Sequence, residues 1–209
     1  MSNISILGLG TYARALGTRG VEAGHAVEVI GRDAAKTQDL AAALGGGATA
    51  GTFGIPPAGD IVVLAVPYAS AVPVVVQYGD ALAGKVIVDI SNTFTAADDT
   101  ELVTSDGSSG AQEIAKAVPP SAHVVKAFNT VFAHVLALGR PLDVLFAGDD
   151  AQAKAVARGL LGDMGWTDEE ILDLGDLTAS RGLELYLVLW LRIAGALGGS
   201  GFNIHVVRG

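Results

Sequence analysis

Short apolar runs alternate along this chain with segments in which apolar residues recur at the spacing of a helix. Residues 60–66 and 85–90 are nearly continuous apolar runs, a pattern typical of parallel strands buried on both faces. We predict strands at residues 4–7, 26–30, 48–52, 60–66, 85–90, 123–127, 143–147, 171–174 and 202–207, and helices at 11–23, 34–44, 70–82, 109–118, 132–138, 151–164 and 177–197. The acidic stretch 93–107 is predicted to be a long exposed loop. This alternation predicts an α/β fold, a Rossmann-like doubly wound and mostly parallel sheet with a short C-terminal helix-strand extension.

Length, composition and charge narrow the class of protein. A chain of 209 residues, half of them apolar, fits one domain over residues 1–209, with residues 171–209 as the extension. A net charge of -9 argues against nucleic acid or an anionic membrane as a partner. The absence of cysteine excludes disulfides, thiolate metal sites and a cysteine nucleophile. Because the N-terminus enters the first strand without a targeting pattern, we expect a cytoplasmic protein.

A glycine turn joins the first predicted strand to the first predicted helix. Gly8 permits a tight turn, and Gly10 has no Cβ to block a pyrophosphate. The helix then begins with Thr11, Tyr12 and Ala13, whose amide groups and positive dipole end would face that phosphate. The strand, turn and helix together predict a dinucleotide-binding unit.

The residues after the second strand indicate which dinucleotide is bound. NAD-preferring sites usually place an acidic residue there, whereas this chain has Gly31 and Arg32, with Lys36 one helical turn beyond. Arg32 and Lys36 can face the same 2′-phosphate, and Asp33 is better interpreted as the N-cap of the following helix. These residues predict NADP(H) as the cofactor.

Further candidate residues follow the other parallel strands, because ligands lie at the carboxyl ends of such sheets. They are Val66, Pro67, Tyr68, Ser91, Asn92, Asn129 and Thr130. None of the four histidines occupies a convincing position for proton transfer, and no metal-ligand spacing is present. A site of main-chain, amide and aromatic groups suits hydride transfer between two planar cofactors.

Asn129 and Thr130 are the predicted catalytic residues. The Lys126-x-x-Asn129 spacing also occurs in β-hydroxyacid dehydrogenases, where a lysine protonates the developing alkoxide, and would then indicate a carbonyl reductase. Lys126 lies inside a predicted strand, however, so its side chain can point away from the cleft, whereas Asn129 lies past the strand end. We therefore expect Asn129 to hydrogen-bond the acceptor ring or the nicotinamide amide, and Lys126 to be structural or a distant electrostatic contributor.

Taken together, these motifs resemble a known family, the NADP oxidoreductases that use the deazaflavin coenzyme F420. The resemblance rests on the glycine turn, Gly31-Arg32 with Lys36, residues 65–68, 88–92 and 125–130, Ala147-Gly148-Asp149-Asp150, and residues 173–184. It implies hydride exchange between NADP and C5 of a deazaflavin, with the stretch 129–131 beneath the ring. Thr11 and Asn129 stand where asparagine and histidine, respectively, are frequent in the archaeal family pattern.

Two other functions stay open from the sequence. One is an NADPH-dependent reductase of another small-molecule redox acceptor, such as a flavin, a ferric chelate or a small carbonyl compound. The other is a non-catalytic NADP-binding redox sensor. The very apolar helix 183–197 is too short to span a membrane and predicts a homodimer, in which it contacts the same helix or the strand 202–207 of a second copy.

Overall fold

The structure is a computed structural model that describes residues 1–93, 107–136, 142–203 and 205–207. The loop predicted at 93–107 therefore lies almost wholly outside the described residues. So do the last two residues of the helix predicted at 132–138.

Eight strands form the sheet, in the order β3-β2-β1-β4-β5-β6-β7-β8. They are β1 (Asn3–Leu7), β2 (Ala26–Gly31), β3 (Thr49–Thr52), β4 (Ile61–Leu64), β5 (Val86–Asp89), β6 (His123–Lys126), β7 (Val144–Gly148) and β8 (Ile171–Asp173). Strands β1 to β6 are parallel, and β7 pairs antiparallel with β6. From β1 the chain adds β2 and β3 on one side and then crosses over to place β4 on the other side of β1. The connections on the two sides of β1 diverge, so a crevice opens at the carboxyl ends of these strands.

The described residues form seven α-helices, of which the first six connect strands and the seventh follows the last strand. They are α1 (Thr11–Glu22), α2 (Ala34–Leu44), α3 (Tyr68–Tyr78), α4 (Gly110–Ala117), α5 (Ala133–Leu136), α6 (Ala151–Asp163) and α7 (Ser180–Leu197). One apolar layer joins the sheet to α1, α2, α5 and α6, and a second joins it to α3 and α4. The doubly wound, mostly parallel sheet predicted from the sequence is confirmed.

The predicted elements agree with the structure except near some ends. Helix α3 begins at Tyr68, two residues early, because Pro67 has the dihedral angles of an N-cap residue. The helix predicted at 177–197 begins as a short 3₁₀ turn, Leu177–Ala179, before α7. The strand predicted at 202–207 is wrong, since its described residues are irregular and form no ladder with the sheet.

Helix α7 is less buried than its composition suggests. Four of its residues are buried, Ser180, Leu183, Glu184 and Trp190, while Leu185 and Leu189 are 44% and 54% exposed. Trp190 stacks between Phe132 and Phe202, with ring centroids 3.8 and 4.9 Å away, respectively. Within the described residues, no helix combines the length and apolarity needed to cross a membrane.

Candidate functional site

The glycine turn after β1 has the geometry that its two glycines require. Gly8 has a φ of +131°, and a Cβ on it would lie 2.1 Å from the main-chain oxygen of Ala65. A Cβ on Gly10 would meet no protein atom within 4 Å. Gly8 is thus required by the protein itself, whereas the space beside Gly10 is free for a ligand.

Helix α1 begins at this turn with Gly10 as an N-cap that has no side-chain hydrogen bond. The first-turn N–H groups therefore have no side-chain cap and can bind an anion. Thr11 is exposed and Ala13 is buried. Burial raises the pKa of Tyr12 to about 12, opposed by a hydrogen bond with the main chain of Ala133, which places this tyrosine next to α5.

A cleft of about 540 Å³ opens beside this turn, between the ends of β1, β2 and β4. Seven of the predicted cofactor residues line it: Gly8, Gly10, Gly31, Arg32, Lys36, Val66 and Pro67. The lining also includes residues that were not predicted from the sequence: Phe53, Ser70, Pro73 and Gln77. We call this space the β1–β4 cleft.

The rim of the β1–β4 cleft carries the basic pair predicted after β2. Arg32 is exposed, and Lys36 lies 3.6 Å from Asp33. Asp33 caps α2 by accepting from the main-chain N–H of Lys36 at 3.1 Å, which confirms its predicted capping role. That hydrogen bond lowers the pKa of Asp33, and the Lys36 ammonium lowers it further. Packing also requires glycine at position 31, because a Cβ there would lie 2.4 Å from the Leu9 side chain.

The remaining predicted site residues lie outside the walls of the β1–β4 cleft. Tyr68 packs against the start of α4, where a Cβ on Gly110 would be 3.0 Å from its ring. Burial, followed by the charges of Glu113, Glu184 and Asp89, raises the pKa of Tyr68. Ser91, Asn92, Asn129 and Thr130 lie after β5 and β6.

Two asparagines at the ends of β5 and β6 bind each other. Asn129 Nδ2 donates to Asn92 Oδ1 at 3.0 Å and to the main-chain oxygen of Leu183 in α7 at 2.8 Å. Asn92 Nδ2 donates to the main-chain oxygen of Asn129 at 3.1 Å. Because main-chain carbonyls only accept, these contacts fix the orientation of both amides.

A strained turn carries Asn129. Phe128 has a φ of +60°, the one positive value among the described non-glycine residues. Its ring is buried edge-on against Trp166, and the N–H of Val131 donates back to its carbonyl at 3.1 Å. Left-handed backbone at a bulky residue persists only where surrounding contacts hold it, and it often marks functional sites.

Lys126 occupies a fully buried ion cluster behind these asparagines. Its Nζ lies 2.8 Å from Asp89 Oδ2 and 2.9 Å from Glu184 Oε1, and it also donates to the main-chain oxygen of Ser91. All three charged side chains are 0% exposed. Burial alone would lower the pKa of Lys126, but the two carboxylates outweigh it and raise that pKa. The ammonium is therefore charged, and its three hydrogens are all engaged.

Glu184 connects this cluster to two further elements. Its Oε2 accepts from the Thr93 hydroxyl at 2.6 Å and from the N–H of Gly110 at 3.1 Å, and its Oε1 accepts from the N–H of Ala111 at 3.4 Å. The carboxylate thus caps the start of α4 while it holds α7 to Lys126.

Asp89 and Glu184 were not predicted from the sequence to belong to the site. Each is the one acidic residue of its element, the strand Val86–Asp89 and the helix α7, and this was the available signal. A buried charge must be paired, so both positions implied a buried cation, but the sequence pattern alone does not select Lys126.

Three buried polar atoms near the strand ends have no hydrogen-bond partner among the described residues. They are Ser91 Oγ, Asn129 Oδ1 and Thr130 Oγ1. Native proteins leave few such atoms unsatisfied, because each costs about 1–3 kcal/mol. All three follow β5 or β6, so the described residues leave hydrogen-bonding capacity unused at this end of the sheet.

Comparison with known proteins agrees with this arrangement. Residues 3–93 match the family model described as NADP oxidoreductase, coenzyme F420-dependent. The chain is 32% identical over 155 residues to the F420-dependent NADP reductase of Methanocaldococcus jannaschii, covering 70% of this chain and 68% of that protein. A crystal structure of a provisionally assigned F420-dependent NADP-reductase from Arthrobacter sp. superposes with a TM-score of 0.87 at 30% identity, covering 100% of both chains.

A further relative is a much larger protein. Over 190 residues the chain is 33% identical to metalloreductase STEAP3 of Rattus norvegicus, covering 87% of this chain. It spans only 35% of the length of that protein. The matches to the family model, to the Methanocaldococcus reductase and to the Arthrobacter structure show that the chain belongs to the family of coenzyme F420-dependent NADP oxidoreductases. It is an NADP-dependent oxidoreductase.

Proposed function

We propose that this protein transfers a hydride between NADP(H) and a deazaflavin coenzyme of the F420 type. The observation that carries the proposal is the state of Lys126, whose three ammonium hydrogens are bound by Asp89, Glu184 and the carbonyl of Ser91. A buried cation held in this way cannot serve as the general acid that a carbonyl reductase needs. Hydride exchange between two redox rings requires no such acid from the protein.

The residues of the β1–β4 cleft suit NADP(H). We assign the pyrophosphate to Gly8, Gly10 and the first turn of α1, because the position of a Cβ on Gly10 is open space. Arg32 and Lys36 on the rim would hold the 2′-phosphate. The nicotinamide would then extend past Val66 and Pro67 toward Ser91 and Asn92, where β4 and β5 end.

The acceptor side of the site is assigned to Asn129 and Thr130. Asn129 Oδ1 and Thr130 Oγ1 are buried and have no hydrogen-bond partner in the described part of the chain, so a ligand that offers hydrogen-bonding groups would satisfy them. When bound, nicotinamide C4 and deazaflavin C5 would supply the hydride chemistry. The protein would orient the two rings and exclude water between them.

A second candidate function is favoured by one specific relative. Metalloreductase STEAP3 is 33% identical over 87% of this chain, which supports a reductase of ferric chelates or of flavin. The two functions share the same NADP(H) site and differ only in the acceptor. The jannaschii reductase, of which this chain spans 68%, favours the deazaflavin.

An anaerobic assay with a panel of acceptors tests the proposal. NADPH oxidation would be followed with coenzyme F420, FMN, ferric citrate and a small aldehyde. We expect kcat/KM for F420 to exceed that for every other acceptor by at least about 100-fold, or roughly 2.7 kcal/mol. Preference for ferric citrate or FMN would replace the deazaflavin proposal. Tight NADPH binding without turnover of any acceptor would indicate a redox sensor.

We also propose that residues 1–209 form one domain and that the protein is a homodimer. Leu185 and Leu189 leave an apolar face exposed on α7, and Leu197 at its end is 66% exposed. The dimer contact is assigned to α7 of each copy, since the described residues of 202–207 form no strand.

Light scattering at micromolar concentration tests this assembly. We expect a dimer mass for the unmodified chain and a shift toward the monomer for Leu189→Glu. The matched control, Val76→Glu, introduces the same charge at an apolar residue of α3 that is 60% exposed and lies outside the proposed contact. A monomer mass that persists as the concentration rises would contradict the dimer.

A further inference from the structure

The buried ion cluster and the Asn129 amide are joined through consecutive residues of one helix. Leu183 offers its carbonyl to Asn129 Nδ2 at 2.8 Å, while Glu184 places its carboxylate 2.9 Å from Lys126 Nζ. Because the two residues are neighbours in α7, the position of the Leu183 carbonyl depends on where Glu184 is held. The ion pair thus fixes a hydrogen bond to a residue of the proposed acceptor site.

The hydrogen bond from Asn129 to the Leu183 carbonyl determines which end of the Asn129 amide faces a ligand in the proposed site. Both hydrogens of Asn129 Nδ2 are used, one by Asn92 Oδ1 and one by the Leu183 carbonyl. Asn129 Oδ1 can only accept, and no donor among the described residues reaches it. The complementary group on a ligand is an N–H or O–H donor, such as the N–H of a ring imide or a carboxamide. Without the Leu183 carbonyl, the amide would lose a constraint on its rotation.

We propose that Glu184, paired with Lys126, is a positioning residue for the acceptor half of the reaction. It holds α7 so that the Leu183 carbonyl keeps Asn129 Oδ1 turned toward a ligand donor. This proposal rests on the proposed function for the role of Asn129 and deepens it. The NADP(H) side is built from the β1–β4 cleft, which contains neither Glu184 nor Leu183, so the effect of Glu184 falls on the acceptor and not on NADPH binding.

The test compares Glu184→Gln with a matched control, Glu22→Gln, which makes the same substitution at an exposed position of α1. We expect Glu184→Gln to lower kcat/KM for coenzyme F420 by about 10-fold or more. The Kd of NADPH should stay within about twofold in both variants, and Glu22→Gln should match the unmodified protein in every measurement. Equal losses in NADPH affinity and acceptor kcat/KM would overturn the proposal, because a general loosening of the fold would explain them.

A second readout does not depend on the acceptor. Hydrogen exchange of the Asn129 side-chain amide is followed by NMR in ¹⁵N-labelled protein, and its signals are identified by their loss in Asn129→Asp. We expect slow exchange in the unmodified protein and exchange at least about 10-fold faster in Glu184→Gln. Unchanged exchange would refute the proposal. If F420 proves not to be a substrate, the proposed function fails while this measurement still decides the role of Glu184.

A double variant separates positioning from stability. In Lys126→Met/Glu184→Gln only Asp89 stays charged, so the cluster has a net charge of -1, as it has with one ammonium and two carboxylates in the unmodified protein. We expect this variant to be more stable than Lys126→Met alone and yet to show fast Asn129 exchange. Restored slow exchange in the double variant would overturn the positioning role. If Glu184→Gln fails to fold, this variant carries the test.

Discussion

The β1–β4 cleft and the buried ion cluster are two halves of one site with opposite construction. The cleft is open and built from glycines, main-chain groups and a rim on which Lys36 is 74% exposed. The cluster is closed and built from charged side chains that are 0% exposed. The first depends on backbone conformation over a few consecutive residues, and the second depends on tertiary contacts. In the proposed site, the cleft therefore sets cofactor choice at little cost to folding, whereas the cluster couples acceptor geometry to the stability of the whole fold.

The largest expected effect comes from opening the cluster. Lys126→Met leaves Asp89 and Glu184 as two buried carboxylates without a cation, which should lower the free energy of unfolding by roughly 3–5 kcal/mol. Lys116→Met is the matched control, because Lys116 is 68% exposed and its pair with Glu113 should contribute at most about 0.5 kcal/mol. Urea unfolding of both variants measures the difference. Similar losses in the two variants would mean that the cluster does not stabilise the fold.

Cofactor choice should change next, on the rim of the cleft. Arg32→Asp removes a charge-assisted pair with the 2′-phosphate worth roughly 1.5–3 kcal/mol, or about 10- to 150-fold in NADPH affinity. NADH has no such phosphate, so its affinity should be spared. Fluorescence titration with both cofactors measures this, and the stability seen in urea should not change because Arg32 is exposed. Equal losses for NADPH and NADH would refute the assignment of Arg32.

A smaller effect, on acceptor kcat/KM, is expected at Asn129. Asn129→Ala removes the proposed acceptor contact and should lower kcat/KM for the acceptor by about 10-fold, which corresponds to about 1.4 kcal/mol. Asn203→Ala is the control, since Asn203 lies in the irregular C-terminal stretch. If steady-state kinetics show the two variants to be alike, Asn129 is not part of the acceptor site.

The difference between the two regions also explains what the sequence could predict. Gly8, Gly10 and the Asp33 cap lie within single turns of chain, so their spacing alone indicates their geometry. The doubly wound sheet was predictable for the same reason, because each strand and helix has its own local pattern. The strand predicted at 202–207 was wrong. A local apolar pattern favours extended backbone, but a strand also needs a neighbouring strand to pair with.

The cluster could not be predicted in this way. Lys126 is 37 residues from Asp89, and Thr93 is 91 residues from Glu184. The sequence suggested that Lys126 is structural, and the structure supplies the physical reason in its two carboxylate partners. The orientation of the Asn129 side-chain amide likewise depends on the Leu183 carbonyl, 54 residues away in the sequence.

Tracing deuterium from NADPH to coenzyme F420 is the most direct test of the proposed function. NADPH carrying deuterium at both C4 positions would be mixed with coenzyme F420 and the protein without oxygen, and the reduced deazaflavin would be examined by mass spectrometry and NMR. We predict one deuterium at C5 of the deazaflavin, because the two rings react within one site. A reduced deazaflavin without deuterium, or no reduction of F420 while ferric citrate is reduced, would contradict the proposal.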